Sequence, residues 1–361
     1  MNVLTFNLGS SSLKCAVHGV SATGEVAIAA ASFERTGLES AAGAAGEAIA
    51  YVRNIEPAIE AVGHRFVFGG ELDVPSLVNE EVMGRLEELE PLDPLHAPQS
   101  RSILRVAIEE FPTLPQVACF DSTFFRQLPP IARALPIPSG DSILRRYGFH
   151  GFSYESVVAT LGERARGRTI VAHLGSGSSV AALSGGAPVD TTMGFSPLGG
   201  VVMASRPGDL DPGALLYLLE REGVGVRALR EMLENRSGLR ALAGGEGDVR
   251  ELSEQARAGD ARAAFAIESY VRSISKATGA LTAVLGGVDA VAFTGGIGEH
   301  QPDVRAAVVG SLSHLGVELD ERRNAANARE ISRSGSRVVV HVVAADENRM
   351  IARHTFGLLR D

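Results

Sequence analysis

The stretch NLGSSSLK (residues 7–14) and its later counterpart HLGSGSS (residues 173–179) decide the fold. Each follows a short apolar segment, at residues 3–6 and 169–172, that predicts a β-strand, and each continues into alternating apolar residues. Both contain Leu-Gly-Ser-x-Ser, which predicts that a strand–loop–strand unit is used twice, once per domain. A single such loop is most simply a hairpin turn. Its repetition favours anion binding, because Gly lets backbone N–H groups approach a phosphate and Ser adds hydroxyl donors.

A third glycine cluster, AVAFTGGIGEH (residues 290–300), follows a predicted strand at 288–293. Gly295, Gly296 and Gly298 would permit close approach of the backbone to a flat or phosphorylated ligand, although a simple strand-to-helix turn is an equal alternative. The chain lacks a P-loop, a dinucleotide fingerprint after a strand and the protein-kinase signatures. By analogy, the three clusters predict an α/β protein with two duplicated actin-like (ribonuclease H-like) domains and a nucleotide cleft between them.

Composition restricts the function further. A length of 361 residues predicts about two domains. The 41 glycines among these 361 residues are a larger share than the average of about 7%. The net charge of -9 argues against a nucleic-acid partner, and the lack of a long uninterrupted apolar run argues against a membrane partner. Two cysteines exclude a disulfide framework and a thiolate zinc site. The N-terminal residues show no signal-peptide pattern, so we expect a cytoplasmic protein.

Two arginines point to an anionic substrate. Arg65 lies in GHRFVFGGE (residues 63–71), which predicts a glycine-flanked turn, and Arg206 lies in SRPGDLDPG (residues 205–213). Asp211 and Pro212 predict the N-cap and first residue of a helix there. Most arginines are solvated surface charges, and each of these two alone could be one. A loop arginine without helical ion-pair partners nevertheless favours bidentate binding of carboxylate or phosphate.

The chain resembles the acetate/propionate/butyrate kinase family along almost its whole length. Each matching stretch is modest by itself, but their shared order makes the resemblance specific. The matching stretches are NLGSSSLK, GHRFVFGGE, PLHAP, FDSTFF, RRYGFHG, HLGSGSS, DTTMGFSPLGG, SRPGDLDP, GDVR, FTGGIGE and ADEN.

The resemblance implies reversible transfer of the ATP γ-phosphoryl group to a short-chain carboxylate, giving ADP and an acyl phosphate. It implies Mg²⁺, with Mn²⁺ as an alternative, and a homodimer. It also implies domain bounds of 1–125 with 350–361 for the N-terminal domain and 126–349 for the C-terminal, nucleotide-binding domain. A carboxylate is already ionised at neutral pH, so this reaction needs no general base. The site must instead bring two anions together and neutralise charge on the transferred phosphoryl group.

The resemblance also implies a role for each matching residue. Arg65 and Arg206 would bind the carboxylate and the phosphoryl group, with His150 donating to phosphoryl oxygens. Asp121 and Glu347 would organise Mg²⁺, and Asn7 would contact phosphate and a metal-bound water. The nucleotide would be bound by Lys14, His173, Gly175, Gly177, Asp248, Val249, Arg250, Gly295, Gly296, Ile297 and Gly298.

Structural roles are the alternatives for several of these residues. His150 could be a core histidine beside aromatic neighbours, and Asp121 could cap a helix that starts at Ser122. Glu347 could be an exposed acid in the first turn of the C-terminal helix. His64 and His96 are predicted to be structural.

The predicted acyl pocket consists of Val67, Leu95, Phe149 and Pro197. Because Val67 is not shortened to Ala, acetate is favoured and propionate is expected to be a poorer substrate. The chain departs from the family pattern at Phe68, Phe125, Phe152, Tyr154 and Pro207. These departures put the metal geometry and the rate in doubt. Two rival functions therefore stay open: a propionate or butyrate kinase, and a catalytically weak nucleotide-binding sensor of the same fold.

Overall fold

A computed structural model describes residues 1–9, 12–34, 39–55, 58–94, 96–138, 140–221 and 224–360. The chain divides into two compact units. The first unit contains Met1–Arg126, Phe149–Ser156 and Asp346–Asp361, and the second contains Gln127–Gly148 and Val157–Ala345. The domain bounds implied by the family resemblance, 1–125 with 350–361 and 126–349, stay a prediction.

The first unit is built on a six-stranded sheet with the strand order β3-β2-β1-β4-β6-β5. β1 pairs antiparallel with β2 and parallel with β4, and β4 pairs parallel with β6. Its strands are β1 (Asn2–Leu8), β2 (Ser12–Ser21), β3 (Gly24–Glu34), β4 (Ala61–Phe66), β5 (Ser76–Leu77) and β6 (Gln116–Phe120). The parallel strands β1, β4 and β6 therefore end at the same edge of this sheet.

The second unit contains a five-stranded sheet with the order β11-β10-β7-β8-β9. β7 pairs antiparallel with β8 and parallel with β10, and β10 pairs parallel with β11. The strands are β7 (Arg168–Leu174), β8 (Ser178–Ser184), β9 (Ala187–Thr191), β10 (Ala290–Thr294) and β11 (Val339–Val342).

The predicted duplication is present in the strand order. Each sheet contains three consecutive antiparallel strands, β1–β3 in the first and β7–β9 in the second. The first strand of each trio pairs on its other side with a parallel strand, β4 or β10, which in turn pairs with a further parallel strand, β6 or β11. The strands predicted at 3–6 and 169–172 are the centres of β1 and β7. The strand predicted at 288–293 starts later, at Ala290, because Gly286 and Gly287 turn with positive φ and Asp289 accepts hydrogen bonds from Arg168.

The helices of the described residues follow the strands and cover the sheets. Four short 3₁₀ helices span Glu90–Leu92, Asp121–Gln127, Gly162–Ala165 and Ser313–Leu315. The α-helices are α1 (Glu39–Ile55), α2 (Glu80–Glu88), α3 (Ala97–Glu110), α4 (Pro130–Arg133), α5 (Gly151–Leu161), α6 (Pro212–Glu220), α7 (Val226–Asn235), α8 (Gly238–Ala243), α9 (Val249–Arg257), α10 (Ala261–Val284), α11 (Gly295–His300), α12 (Pro302–Ser311), α13 (Glu321–Ala325) and α14 (Glu347–Arg360).

The core of the first unit lies on both faces of its sheet. On one face α1 packs against β2 and β3, and α3 packs against α1 and β4. On the other face α14 packs against β1, β2 and β4. A Cβ atom added at Gly63 on β4 would lie 2.4 Å from Thr355 Oγ1, so only glycine permits this close approach of α14. This packing fixes the first residue of α14, Glu347, relative to the sheet.

The core of the second unit is formed by its sheet with α10 and α12. Ile170, Val180, Tyr270, Phe293 and Val308 are buried members of one apolar cluster. The short helix α11 follows β10 directly and packs against β7, β10 and α12. In the part of the chain that the structure describes, no helix has the length and apolar character needed to span a bilayer.

Candidate active site

Arg65 and Asp121 meet where two parallel strands of the first unit end. Phe66 on β4 lies opposite Phe120 on β6, so Arg65 lies near the strand end that Asp121 directly follows. Arg65 donates from Nε and Nη2 to Asp121 Oδ2, at 3.1 and 2.6 Å. The sequence predicted Arg65 in a turn, which is wrong: β4 extends to Phe66, and Arg65 lies in that strand opposite Cys119 on β6.

Asn7 and Glu347 complete this arrangement. Asn7 on β1 accepts a hydrogen bond from Arg65 Nη1 at Oδ1, 2.8 Å away, and donates from Nδ2 to Glu347 Oε2 over 2.8 Å. Arg65 Nη1 lies 3.5 Å from the same Glu347 oxygen. We call Asn7, Arg65, Asp121 and Glu347 the Arg65 network. The structure thus brings together four of the residues for which the resemblance implied catalytic or metal-binding roles.

The Arg65 network is largely shielded from solvent and contains two carboxylates for one guanidinium. The side chains of Arg65, Asp121 and Glu347 are 10%, 1% and 16% exposed. Burial raises the pKa of Asp121, the Arg65 guanidinium opposes that rise, and the nearby Glu347 carboxylate adds to it. Burial alone would lower the pKa of Arg65, but attraction to Asp121 and Glu347 outweighs burial and raises it. Two carboxylates therefore surround one permanently charged guanidinium.

Most donors of Arg65 are already engaged in the first unit. A guanidinium has five N–H groups, and those of Arg65 bond Asp121 through Nε and Nη2, and Asn7 and the Leu8 carbonyl through Nη1. Among the described residues, one Nη2 hydrogen has no partner. A carboxylate ligand would meet this single donor in the present arrangement, whereas bidentate binding would need Arg65 to exchange a partner.

Glu347 is not an exposed first-turn acid, and two histidines have structural partners. Glu347 is the first residue of α14, but its bond to Asn7 and its low exposure differ from an exposed first-turn acid. His64 is buried against Gln116, at 2.8 Å, and burial lowers its pKa to about 4. His96 hydrogen-bonds Asp93 through Nδ1 at 3.0 Å. Both are held by structural partners, as predicted.

His150 and the predicted acyl residues Phe149 and Val67 are not equally buried. His150 is half-buried and has a φ of 61°, a backbone conformation uncommon outside glycine. Phe149 is buried, with its ring 6.4 Å from that of Phe68. Val67 is half-buried. Leu95 lies outside the described residues.

The aromatic departures from the family pattern are packing residues. Phe125, Phe152 and Tyr154 are at most 1% exposed. The Phe125 and Tyr154 rings pack edge to face with centroids 5.5 Å apart, and the Phe152 ring lies 5.3 Å from His354. Phe152 belongs to an apolar cluster of the first unit with Val117, Cys119, Met350 and Ile351.

In the second unit, Arg206 and Pro197 lie together. Arg206 Nη1 donates to the Pro197 carbonyl at 2.8 Å. The loop is closely packed, because a Cβ atom at Gly238, where φ is 62°, would lie 2.2 Å from the Met203 carbonyl. Asp211 caps α6 by accepting from the Gly213 amide, with Pro212 in the first turn, which confirms the predicted N-cap.

A cavity of about 620 Å³ opens in the second unit. Its volume is within the usual range for small-molecule sites, about 300–1,000 Å³. Predicted nucleotide-binding residues that line it are Gly175, Asp248, Val249, Arg250, Gly296 and Ile297. Sequence reasoning missed Ser176, Ala204, Ser205, Arg240, Glu246, Gly247, His300 and Gln301. Ser176, Ser205, Gly247 and His300 lie within recognised motifs, and Ala204, Glu246 and Gln301 adjoin them, whereas Arg240 lies in no motif.

The other predicted nucleotide-binding residues lie beside the cavity or outside it. Gly177 shares the β7–β8 loop with Gly175, and His173 is near the end of β7. Gly295 and Gly298 belong to α11. Lys14 is exposed on β2 in the first unit, whereas the residues that line the cavity all belong to the second.

The Arg65 network fits a divalent cation that keeps much of its water shell. Asp121, Glu347 and Asn7 supply the oxygen donors that Mg²⁺ prefers. No group of three or more His, Cys, Asp or Glu side chains suited to a metal is found among the described residues. A cation here would therefore need water or substrate phosphate for its remaining ligands, which is the usual mode of Mg²⁺ binding.

Comparisons with known proteins agree on one family. A family model described as the Acetokinase family matches residues 44–353. The acetate kinase of Nitrobacter hamburgensis is 44% identical, covering 83% of this chain and 76% of that protein. The acetate kinase of Symbiobacterium thermophilum is 39% identical over the whole of both chains. A propionate kinase structure from Francisella tularensis matches with a TM-score of 0.87 at 30% identity, covering 99% of each chain.

The structural match extends over both units, so the fold is the two-domain actin-like fold predicted from the repeated loops. The match to the family model extends over most of the sequence. The chain therefore belongs to the acetokinase family and is a phosphotransferase.

Proposed function

We propose that the protein catalyses reversible transfer of the γ-phosphoryl group of ATP to acetate, giving acetyl phosphate and ADP. Membership of the family implies ATP or ADP as substrate and a divalent cation. The observation that carries the proposal is the Arg65 network, which places one largely enclosed guanidinium, one buried carboxylate and one half-buried carboxylate at one sheet edge. Such a group matches the needs of an anionic acceptor and a metal-bound phosphate better than those of a neutral substrate.

The residues of the first unit would have separate roles in binding the cation, the acceptor and the phosphoryl group. Asp121 and Glu347 would hold the cation, with Mg²⁺ as the preferred ion and Mn²⁺ as an alternative. When bound, the cation neutralises charge on the phosphate oxygens. Arg65 would orient the acceptor carboxylate through its remaining Nη2 hydrogen, and His150 would donate to the phosphoryl oxygens.

The second unit would supply the nucleotide site. Its cavity has backbone from Gly175 and Gly296 on its wall, where the absence of side chains permits close contact with a ligand. Ile297 offers an apolar surface, and Arg250 offers a charged group. Arg206 would neutralise the transferred phosphoryl group. The carboxylate acceptor needs no general base, so these residues would act through position and charge.

A propionate kinase is the second candidate function. The observation that supports it is the propionate kinase structure from Francisella tularensis, which matches with the same TM-score, 0.87, as an acetate kinase structure from Entamoeba histolytica. Val67 and Phe149 would limit the space for the alkyl group. One methylene contributes only about 1–3 kcal/mol to discrimination, so propionate would be used, but less well.

A homodimer and a cytoplasmic location complete the proposal. None of the residues of α6 is buried, and its Leu216 and Tyr217 are 59% and 63% exposed. An apolar helix face of this kind supports association with a second copy. ATP and acyl phosphates are products of intracellular metabolism, which supports the location.

Hydroxylamine trapping tests the proposed reaction. The purified protein would be incubated with ATP, Mg²⁺ and acetate, propionate or butyrate, and acyl hydroxamate would be measured. Hydroxamate should form fastest with acetate, and Arg206→Ala should abolish it. Arg168→Ala, which removes an exposed arginine of the second unit, is the matched control and should retain activity. No hydroxamate with any of the three acids would refute the proposal.

A further inference from the structure

Arg305 on α12 is a charged side chain enclosed by protein. It is 0% exposed, and it is the largest of the fully buried side chains among the described residues. Burial lowers its pKa to about 10, so it remains protonated at neutral pH. No carboxylate of the described residues forms an ion pair with it. Burial of a charge without an opposite charge is costly, so the position is expected to serve a purpose.

Neutral acceptors satisfy Arg305 in place of a carboxylate. Its Nε donates to Asn324 Oδ1, and its Nη2 donates to the Asn324 carbonyl, both at 2.8 Å. Nη2 also donates to Asn327 Oδ1 at 2.6 Å. Nη1 donates to the Gly298 carbonyl at 2.8 Å. The guanidinium therefore joins α11 to α13 and the residues that follow it.

The bond to Gly298 connects Arg305 with the cavity. Gly298 lies in α11, between Ile297 and His300, and both of these residues line the cavity. α11 has only six residues, too few for a helix to be stable by itself, so its position depends on tertiary contacts. Arg305 does not line the cavity, but it holds the helix that does.

We propose that Arg305 is a positioning residue for nucleotide binding, because it fixes α11 and so the wall of the cavity formed by Gly296, Ile297 and His300. The inference rests on the proposed function in one respect: the ligand of the cavity is taken to be a nucleotide. A rival explanation is that the charge of Arg305 attracts phosphate from a distance. The two explanations make different predictions for a lysine at this position.

Binding of a fluorescent ADP analogue to the full chain tests the proposal without depending on turnover. Arg305→Met keeps length and removes the hydrogen bonds, and we expect the Kd to rise about tenfold. Arg305→Lys keeps the charge, but its three donors on one nitrogen do not reproduce the planar arrangement, so it should bind as weakly as Arg305→Met. Val308→Ala is the matched control: it opens space at another buried position of the same helix and should leave the Kd unchanged.

A second variant keeps the test valid if Arg305→Met does not fold. Asn327→Gly removes one acceptor and tolerates the positive φ of 50° at that position, so it should fold and weaken binding by a smaller factor. A wild-type Kd in Arg305→Met would overturn the inference, and so would a wild-type Kd in Asn327→Gly if Arg305→Met does not fold. So would recovery of wild-type affinity in Arg305→Lys, or equal weakening in Val308→Ala. Failure of the wild-type chain to bind the ADP analogue would instead refute the proposed nucleotide site.

Discussion

Replacing Arg65 with Met should destabilise the first unit in a pH-dependent way. The substitution keeps the length of the side chain but leaves Asp121, which is 1% exposed, without its cation and close to Glu347. Removing one partner of a buried ion pair costs about 3–5 kcal/mol. Solvent screening does not reduce this figure, because the Arg65 side chain is only 10% exposed. We therefore expect the free energy of unfolding to fall by about 3–5 kcal/mol at pH 8.

The sign of the pH dependence follows from the raised pKa of Asp121. Burial raises that pKa above its ordinary value of 3.8, so stability decreases as the pH rises through the folded-state pKa. Arg65 opposes the rise, and its loss moves the pKa of Asp121 further upward. In Arg65→Met, Asp121 should therefore take up a proton at a higher pH than in the wild type. Over the pH range below 8 in which Asp121 is protonated in the variant but not in the wild type, the loss of unfolding free energy should shrink by about 1.4 kcal/mol per pH unit.

Hydrogen–deuterium exchange of the β4 and β6 amides reports the opening free energy of the first unit. Arg168→Met is the matched control, because Arg168 also donates to one carboxylate at 3.1 and 2.6 Å but is exposed. It should cause no measurable change. A deficit in Arg65→Met below 1 kcal/mol at pH 8, or one that is equal at pH 5 and pH 8, would refute the reasoning about this pair.

Further predictions concern the cavity, the acyl pocket and the apolar helix. Asp248→Ala removes the acceptor for two amides of α9. The free energy of unfolding, measured by calorimetry, should fall by about 1 kcal/mol. The KM for ATP, measured by steady-state kinetics, should rise. An unchanged KM would contradict a cavity role. Val67→Ala should raise kcat/KM for propionate relative to acetate by about tenfold in the hydroxamate assay, and an unchanged ratio would place the acyl group elsewhere. Leu216→Asp with Tyr217→Glu should convert a dimer to a monomer in light scattering, whereas a wild-type monomer would refute the dimer.

Local patterns predicted much of the fold. The apolar runs before NLGSSSLK and HLGSGSS give β1 and β7, because buried strands need continuous apolar residues. Asp211 and Pro212 predicted a helix start because an Asp side chain can accept a hydrogen bond from a first-turn amide and Pro is favoured at the first helical position. Five strands of the first sheet, β3-β2-β1-β4-β6, have the same order as the whole second sheet, which agrees with the repeat. In each case, residues close together in sequence carry the signal.

Contacts between distant residues were not predictable in the same way. Arg65 and Asp121 are brought together by the parallel register of β4 and β6, which no local pattern specifies. Sequence reasoning gave these two residues separate roles, whereas the structure pairs them directly. Arg305 was missed altogether, because nothing in the chain around it distinguishes a buried arginine from a surface one. Its partners are Asn324 in α13 and Asn327 in the turn that follows that helix.

ATP formation from ADP and acetyl phosphate is the direct test of acetate kinase activity in this protein. The purified protein, a divalent cation and both substrates would be mixed, and ATP would be measured by luciferase luminescence. The account predicts ATP in an amount that requires acetyl phosphate, ADP and the cation together, with a loss of about 10³-fold or more in kcat for Arg206→Ala. Absence of ATP with the folded wild-type protein, or equal rates in wild type and Arg206→Ala, would contradict it.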